Sequence, residues 1–197
     1  MICRAEMSLT NLTNSGKVII VDLAKRYCIL PVKQTSVDMQ GIYWNALIKG
    51  DTLKLRMNEV AKPSIDDVVT MLGNNLATLH YILDLDEDRI VGEFTVVPLS
   101  GKLGSIHFSS HPINPFRLNI ALGKFAVHSV FNEWKSGDML GGSYLTSLVG
   151  LTPARNRPAC LFIRKVGFKR VMEIEDGCCY DGELSRAVMT IMHSTSN

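Results

Sequence analysis

No window of the chain approaches the ~18 consecutive apolar residues of a membrane-spanning helix. The opening stretch, MICRAEMSLTNLTNSG, also lacks the continuous apolar core of a secretory signal, so the protein is expected to stay in the cytoplasm where it is made. An excess of one charge is missing too. Twenty-one Lys and Arg against 19 Asp and Glu leave +2, with no long run of either sign. Bulk electrostatics therefore gives no reason to expect direct nucleic-acid or membrane binding. Cysteines number five, Cys3, Cys28, Cys160, Cys178 and Cys179, with no C-x-x-C pair and no histidine at ligand spacing. That set excludes a disulfide framework and a structural zinc site, and reads as reduced thiols. The neighbours Cys178 and Cys179 are either plain packing or a redox or metal feature. Phosphate-binding P-loops, dinucleotide fingerprints, the G-x-S-x-G elbow and zinc-protease helices are absent from the sequence. Asp84, Asp86 and Asp88 alternate as in a calcium loop, but the sixth position is not glycine and the twelfth is not glutamate.

What remains is an ordinary composition, 46% hydrophobic and 20% charged over 197 residues, enough for one sizeable core and too little for two domains. Residues 1–16 are polar and turn-rich and read as a loose arm, with Met7 as an alternative start; 17–197 read as a single domain. Lys17 to Leu23 is a β-branched strand, and Tyr27 to Val32 prolongs it or pairs with it. A helix follows over Val37 to Ile48, stopped at Gly50. Pro63-Ser64 with Asp67 resembles a capping box and starts a helix to Gly73, its acidic first turn suited to the helix dipole. Leu76 to Leu85, Ile90 to Val97 and Leu103 to Ser110 alternate as a three-stranded meander with turns at Asp86–Arg89 and Ser100–Lys102. After the stiff loop His111–Pro115, a helix from Leu118 to Trp134 carries two apolar stripes and is buried on a broad face.

The most legible stretch is Ser143 to Phe168. Tyr144 to Leu151 is a buried strand, Thr152-Pro153 stops it, and Asn156 caps a short helix through Ala159, Cys160, Ile163 and Val166 that Gly167 ends. Phe168 opens a strand to Ile174, Asp176-Gly177 turns, and after Asp181-Gly182 a final strand runs over Ser185 to Met192. The element order is α+β with a mixed sheet.

The series Asn156, Ala159, Lys165, Gly167, Phe168 resembles the GNAT acyltransferase signature N-x-x-A-x-x-x-Y-x-K-x-G-F, and the element order from Val37 to Met192 is similar to that of a GNAT domain. SIHFSSHP, PARNRPA, KVGFKR and DGELSRAVM together look closest to small GNAT-like proteins of tailed bacteriophages. The resemblance implies a GNAT-like, mostly antiparallel twisted sheet flanked by helices, acetyl-CoA as cofactor and an amine as acceptor. It places pantetheine between the last meander strand and the next one, touching Ser109, Ser110 and Asn156. The pyrophosphate is implied at the start of the long helix, where unpaired N–H groups and a partial positive charge suit an anion. The family pattern there is Q/R-x-x-G-x-G/A. Aligned to it are Arg117, Leu118, Asn119, Ile120, Ala121 and Leu122, with Gly123 one place late; Arg117 matches, while Ile120 and Leu122 stand where small residues are wanted. Ile163 occupies the usual tyrosine position and has no proton to give to the leaving thiolate.

Glu93, His107 and His111 are candidate general bases, with His80 and Tyr81 behind them, and Tyr180 is a candidate substitute for the missing tyrosine. Two functions follow: an acetyl-CoA-dependent N-acyltransferase, or a catalytically degenerate GNAT-like phage protein with a structural role in head assembly or the virion. The partners are then acetyl-CoA and an amine, or other phage structural proteins; a homo-oligomer is compatible with either.

Overall fold

The computed structural model describes residues 21–53, 63–75, 79–132 and 145–194, with short backbone pieces at 8–9, 13–14 and 17–18. A helical turn α1 (Leu23–Arg26) leads into β1 (Tyr27–Pro31), followed by α2 (Val37–Lys49) and α3 (Ile65–Asn75). The meander is β2 (Leu79–Asp84), β3 (Arg89–Ser100) and β4 (Leu103–Ser110). Then come α4 (Phe116–Asn132), β5 (Ser147–Pro153), α5 (Arg157–Val166), β6 (Lys169–Tyr180) and β7 (Glu183–His193). The seven strands form one sheet in the order β6-β7-β5-β4-β3-β2-β1, antiparallel throughout except for β4 beside β5.

Local chemistry explains the helix boundaries. Ser36 caps α2 by accepting the Met39 N–H at 3.2 Å, and Gly50 ends it. Ser64 and Asp67 form the reciprocal box ahead of α3, with Ser64 N–H donating to Asp67 Oδ2 at 2.7 Å and Asp67 N–H to Ser64 Oγ at 3.4 Å. Hydrogen bonds from the Ser64 hydroxyl and N–H hold the Asp67 carboxyl below its usual range. α3 runs two residues past Gly73, to Asn75.

Four expectations are corrected. Lys17 to Leu23 is not one strand: Lys17–Val18 pairs with Thr13–Asn14, Val21–Asp22 pairs with Ser8–Leu9, and Leu23 opens α1. Tyr27–Pro31 pairs instead with β2, which leaves it at the sheet edge where a terminal proline is tolerated. Asp176-Gly177 is not a turn but a bulge inside one twelve-residue strand, because pairing resumes at Cys178 opposite Ser185. A Cβ at Gly177 would lie 2.8 Å from the Ile174 Cβ and 2.9 Å from the Ala187 Cβ, so the bulge closes over Ala187 only as glycine. Pro153 does not stop β5 short; it is the strand's last residue. Ala154 donates to the Arg186 carbonyl at 2.8 Å, and ladder alternation then points the Pro153 nitrogen away from β7, where no N–H is needed. Tyr144 and Trp134 lie outside the described residues.

Two apolar cores lie on opposite faces of the sheet. One joins α2 and α3 to β1, β2 and β3 through Tyr43, Trp44, Leu47, Val68, Leu79, Tyr81 and Ile90. The other joins α4 and α5 to the centre of the sheet through Phe94, Val96, Ile106, Leu122, Phe125, Leu148 and Val166. At the crossing of α4 and α5, Gly123 lets the helices touch: a Cβ there would sit 2.7 Å from Phe162 Cζ and 2.8 Å from Val166 Cγ2. Gly123→Ala is therefore expected to lower stability by ~1–3 kcal/mol, the usual cost of overpacking a filled site, measured by urea unfolding.

Candidate functional site

β4 and β5 run side by side only at Leu103–Ser105 against Ser147–Val149. Beyond those pairs β4 stays bonded to β3 as far as Ser110, and β5 stays bonded to β7 as far as Pro153, so the two strands diverge. The result is a cleft through the sheet, across which β4 and β5 make no further ladder pairs with each other among the described residues. Ile106, His107 and Phe108 line one side, and Gly150, Leu151, Thr152 and Pro153 line the other. Asn156, Phe162, Ile163 and Val166 of the α5 segment close one end with Gly123 and Val127 of α4.

α5 is placed by its own first residues. Asn156 is buried, and its Oδ1 accepts the Ala159 N–H at 3.2 Å. Pro158 sits in the first turn, where its missing N–H costs nothing. Using Oδ1 as the cap leaves the Nδ2 group as a donor on a residue that lines the cleft. Gly167 ends the helix at φ 126°, a conformation that favours glycine.

The start of α4 is held by the loop before it. Asn114 is buried, and its Nδ2 donates to the Val91 carbonyl at 2.7 Å, which also accepts the His111 N–H at 2.9 Å. Val91 lies at a bulge in β3, so an irregular strand supplies the acceptor that fixes this loop. The His111 Nδ1 accepts the Ile113 N–H at 3.3 Å. Burial, reinforced by the Arg89 charge, pushes the His111 imidazole below its ordinary titration range and favours that neutral, accepting form.

The sequence candidates separate by place. α4 begins at Phe116, two residues earlier than expected, so Arg117 to Leu122 lie inside its first two turns. Arg117 is exposed; Leu122 is wholly buried in the core, and Gly123 is spent on the contact with α5. Asn119, Ile120 and Ala121 are partly buried, and Asn119 Oδ1 is a buried oxygen that accepts no hydrogen bond. Ser109 and Ser110 end β4, with Ser109 Oγ 3.5 Å from the Tyr43 hydroxyl. Of the proton-transfer candidates, only His107 lines the cleft, and it is exposed. Glu93 is fully buried on the same face, one register step away between Tyr81 and Ser109. His80 stacks on Phe94 at 5.4 Å on the opposite face, in the α4 core layer. Tyr180 is the last residue of β6, opposite Glu183 in the terminal hairpin. Sequence reading missed Phe108 and Phe162, which stack at 5.0 Å and 18° inside the cleft, and Thr152, buried in its wall. Alternation alone did not distinguish a ring facing a gap from a ring facing the core.

No protein-family model matches this sequence, and no curated protein is similar to it in sequence. Solved structures are. A GNAT-family acetyltransferase from Bacillus anthracis superposes with a TM-score of 0.62 at 15% identity, covering 85% of this chain and 95% of its own. Spermidine N-acetyltransferase from Vibrio cholerae, solved with CoA and spermine, gives 0.62 at 11% identity over 86% of this chain and 96% of its own. RimJ from Mycobacterium smegmatis, solved with CoA-disulfide, gives 0.60 at 13% identity over 85% and 82%. This chain has the GNAT fold. At these identities the likeness is one of architecture. Ile163 lines the cleft between β4 and β5, 3.6 Å from where a Cβ on Gly150 would stand.

Proposed function

We propose that this protein is an acyl-CoA-dependent N-acyltransferase that transfers an acetyl group to an amine. The observation that carries this reading is the open divergence of β4 and β5, with Asn156 at one end. An extended amide-bearing chain such as pantetheine can add to those strands much as a peptide adds to a sheet. The N-terminal amides of α4, with Arg117 beside them, suit the pyrophosphate. His107 reaches the cleft from the face opposite α5, so the amine enters from that side and gives its proton to the imidazole. The amine nitrogen bonds to the thioester carbonyl carbon, the C–S bond breaks, and the CoA sulfur leaves as thiolate, since Ile163 has no proton to offer. That departure is feasible because thiols ionise near pH 8.5.

A second reading is a GNAT-fold protein without catalysis, used in binding or assembly, including a phage structural part. Ile163 and the buried Leu122 favour it, because neither serves the usual chemistry.

Calorimetric titration with acetyl-CoA separates the two. Micromolar binding is expected for the native protein. Asn156→Ala is expected to weaken binding at least ~10-fold and to lower stability by ~1 kcal/mol through loss of the cap. No heat at millimolar ligand would reject the acyltransferase reading.

A further inference from the structure

The sheet face that carries His107 is covered unevenly. α2 and α3 bury residues of β1, β2 and β3 on that face. On β5, β7 and β6 the same face presents a cross-strand row, Leu151 opposite Met189 opposite Met172. Its neighbours in register are Pro153, Ala187 and Ile174 on one side, and Val149, Ile191 and Lys169 on the other. Leu151 lies on an inner strand yet is 46% exposed, and Met172 is 51% exposed. Met189 is half-buried between them. Leu151 also lines the cleft, so the apolar row is continuous with the cleft on the side where the amine enters.

We propose, on the basis of the acyltransferase reading, that the acceptor is a primary amine carried on an apolar carbon skeleton, alkyl or arylalkyl, whose body lies across Leu151, Met189 and Met172. Two observations set this class against a polyamine. The row offers apolar contact over three strands, which stabilises in proportion to the area it removes from water. Its one charged neighbour among the described residues is Lys169, which repels additional cationic groups. Glu173, next to Met172, falls on the opposite face in register with Val188 and pairs with Arg186, and Glu183 pairs with Arg155.

The test compares 2-phenylethylamine with spermidine as acceptors for the full chain, using release of CoA thiol as the signal. Phenylethylamine is expected to give at least ~10-fold higher kcat/KM, the scale of one well-filled apolar contact. Met172→Glu, on the exposed edge strand where folding tolerates it, is expected to lower kcat/KM for phenylethylamine ~10-fold and to raise it for spermidine, with acetyl-CoA affinity unchanged. Met189→Glu should do the same more strongly if it folds. Preference for spermidine in the native protein would overturn the proposal, as would Met172→Glu changing oligomeric state in light scattering, which would make the row an interface between copies. Absence of acetyl-CoA binding in the native protein is a different failure, that of the acyltransferase reading itself.

Discussion

His107→Gln is expected to reduce kcat/KM for acetyl transfer by roughly 10²–10⁴-fold, the range that a positioned general base contributes. The residue is exposed, so the substitution costs the fold little. Glutamine keeps a similar reach and a hydrogen-bonding end but cannot take up a proton near neutral pH. The loss should appear in kcat rather than in acetyl-CoA affinity, because the imidazole acts on the acceptor's proton, whereas the proposed CoA contacts are made by backbone edges and helix ends. An amine acceptor that is already neutral at the assay pH should narrow the gap between the two proteins. If His107→Gln binds acetyl-CoA and keeps its rate, proton transfer belongs elsewhere. Glu93 is then the next group to test, since its carboxyl is buried on the same face between Tyr81 and Ser109.

Much of this architecture was legible because several local signals agreed. Asn156 and Gly167 mark both ends of α5 in the sequence and do so in the structure, since caps are decided by residues within one turn. Leu103–Ser110 was read to its exact residues, as were the turns before and after it in outline, for the same reason. Errors fall where a distant partner decides. Asp176-Gly177 has the composition of a turn, but the ladder to β7 continues past it and makes it a bulge over Ala187. Gly123 was weighed as a phosphate-loop glycine, whereas its position is set by Phe162 and Val166, 39 and 43 residues later in the chain. The cleft could be anticipated only from resemblance. Nothing in the residues of β4 and β5 taken singly states that they part after Ser105 and Val149. Likewise the apolar row of Leu151, Met189 and Met172 exists only through register, which no single strand encodes.

Trp44→Ala is expected to destabilise the protein by ~3–5 kcal/mol, a large share of the 5–15 kcal/mol that holds an ordinary domain together. Trp44 is 1% exposed on α2, with ring contacts to Tyr43 at 5.2 Å and Tyr81 at 6.5 Å. Its Nε1 donates to the Tyr81 hydroxyl at 2.8 Å, and that hydroxyl in turn lies 3.4 Å from the Gln40 Oε1. Gln40 completes the chain by donating to the Val32 and Thr35 carbonyls at 3.2 and 2.9 Å. One side chain thus ties α2 to β2 and to the segment after β1. Trp44→Phe separates the two contributions, because it keeps most of the apolar volume and removes the donor. It is expected to cost ~1–3 kcal/mol, the penalty of leaving the buried Tyr81 oxygen without its donor. Urea unfolding of both variants gives the comparison. Equal losses would place the whole effect in the hydrogen bond, and no loss in Trp44→Phe would place it in packing. The consequence reaches the cleft, because Tyr43, the neighbour of Trp44, lies over Ser109 at the end of β4. A folded Trp44→Phe protein with weakened α2 docking should therefore lose acceptor selectivity before it loses acetyl-CoA affinity, since α2 packs on the sheet face that carries His107, whereas the proposed CoA contacts lie at the cleft edges and on α4 and α5.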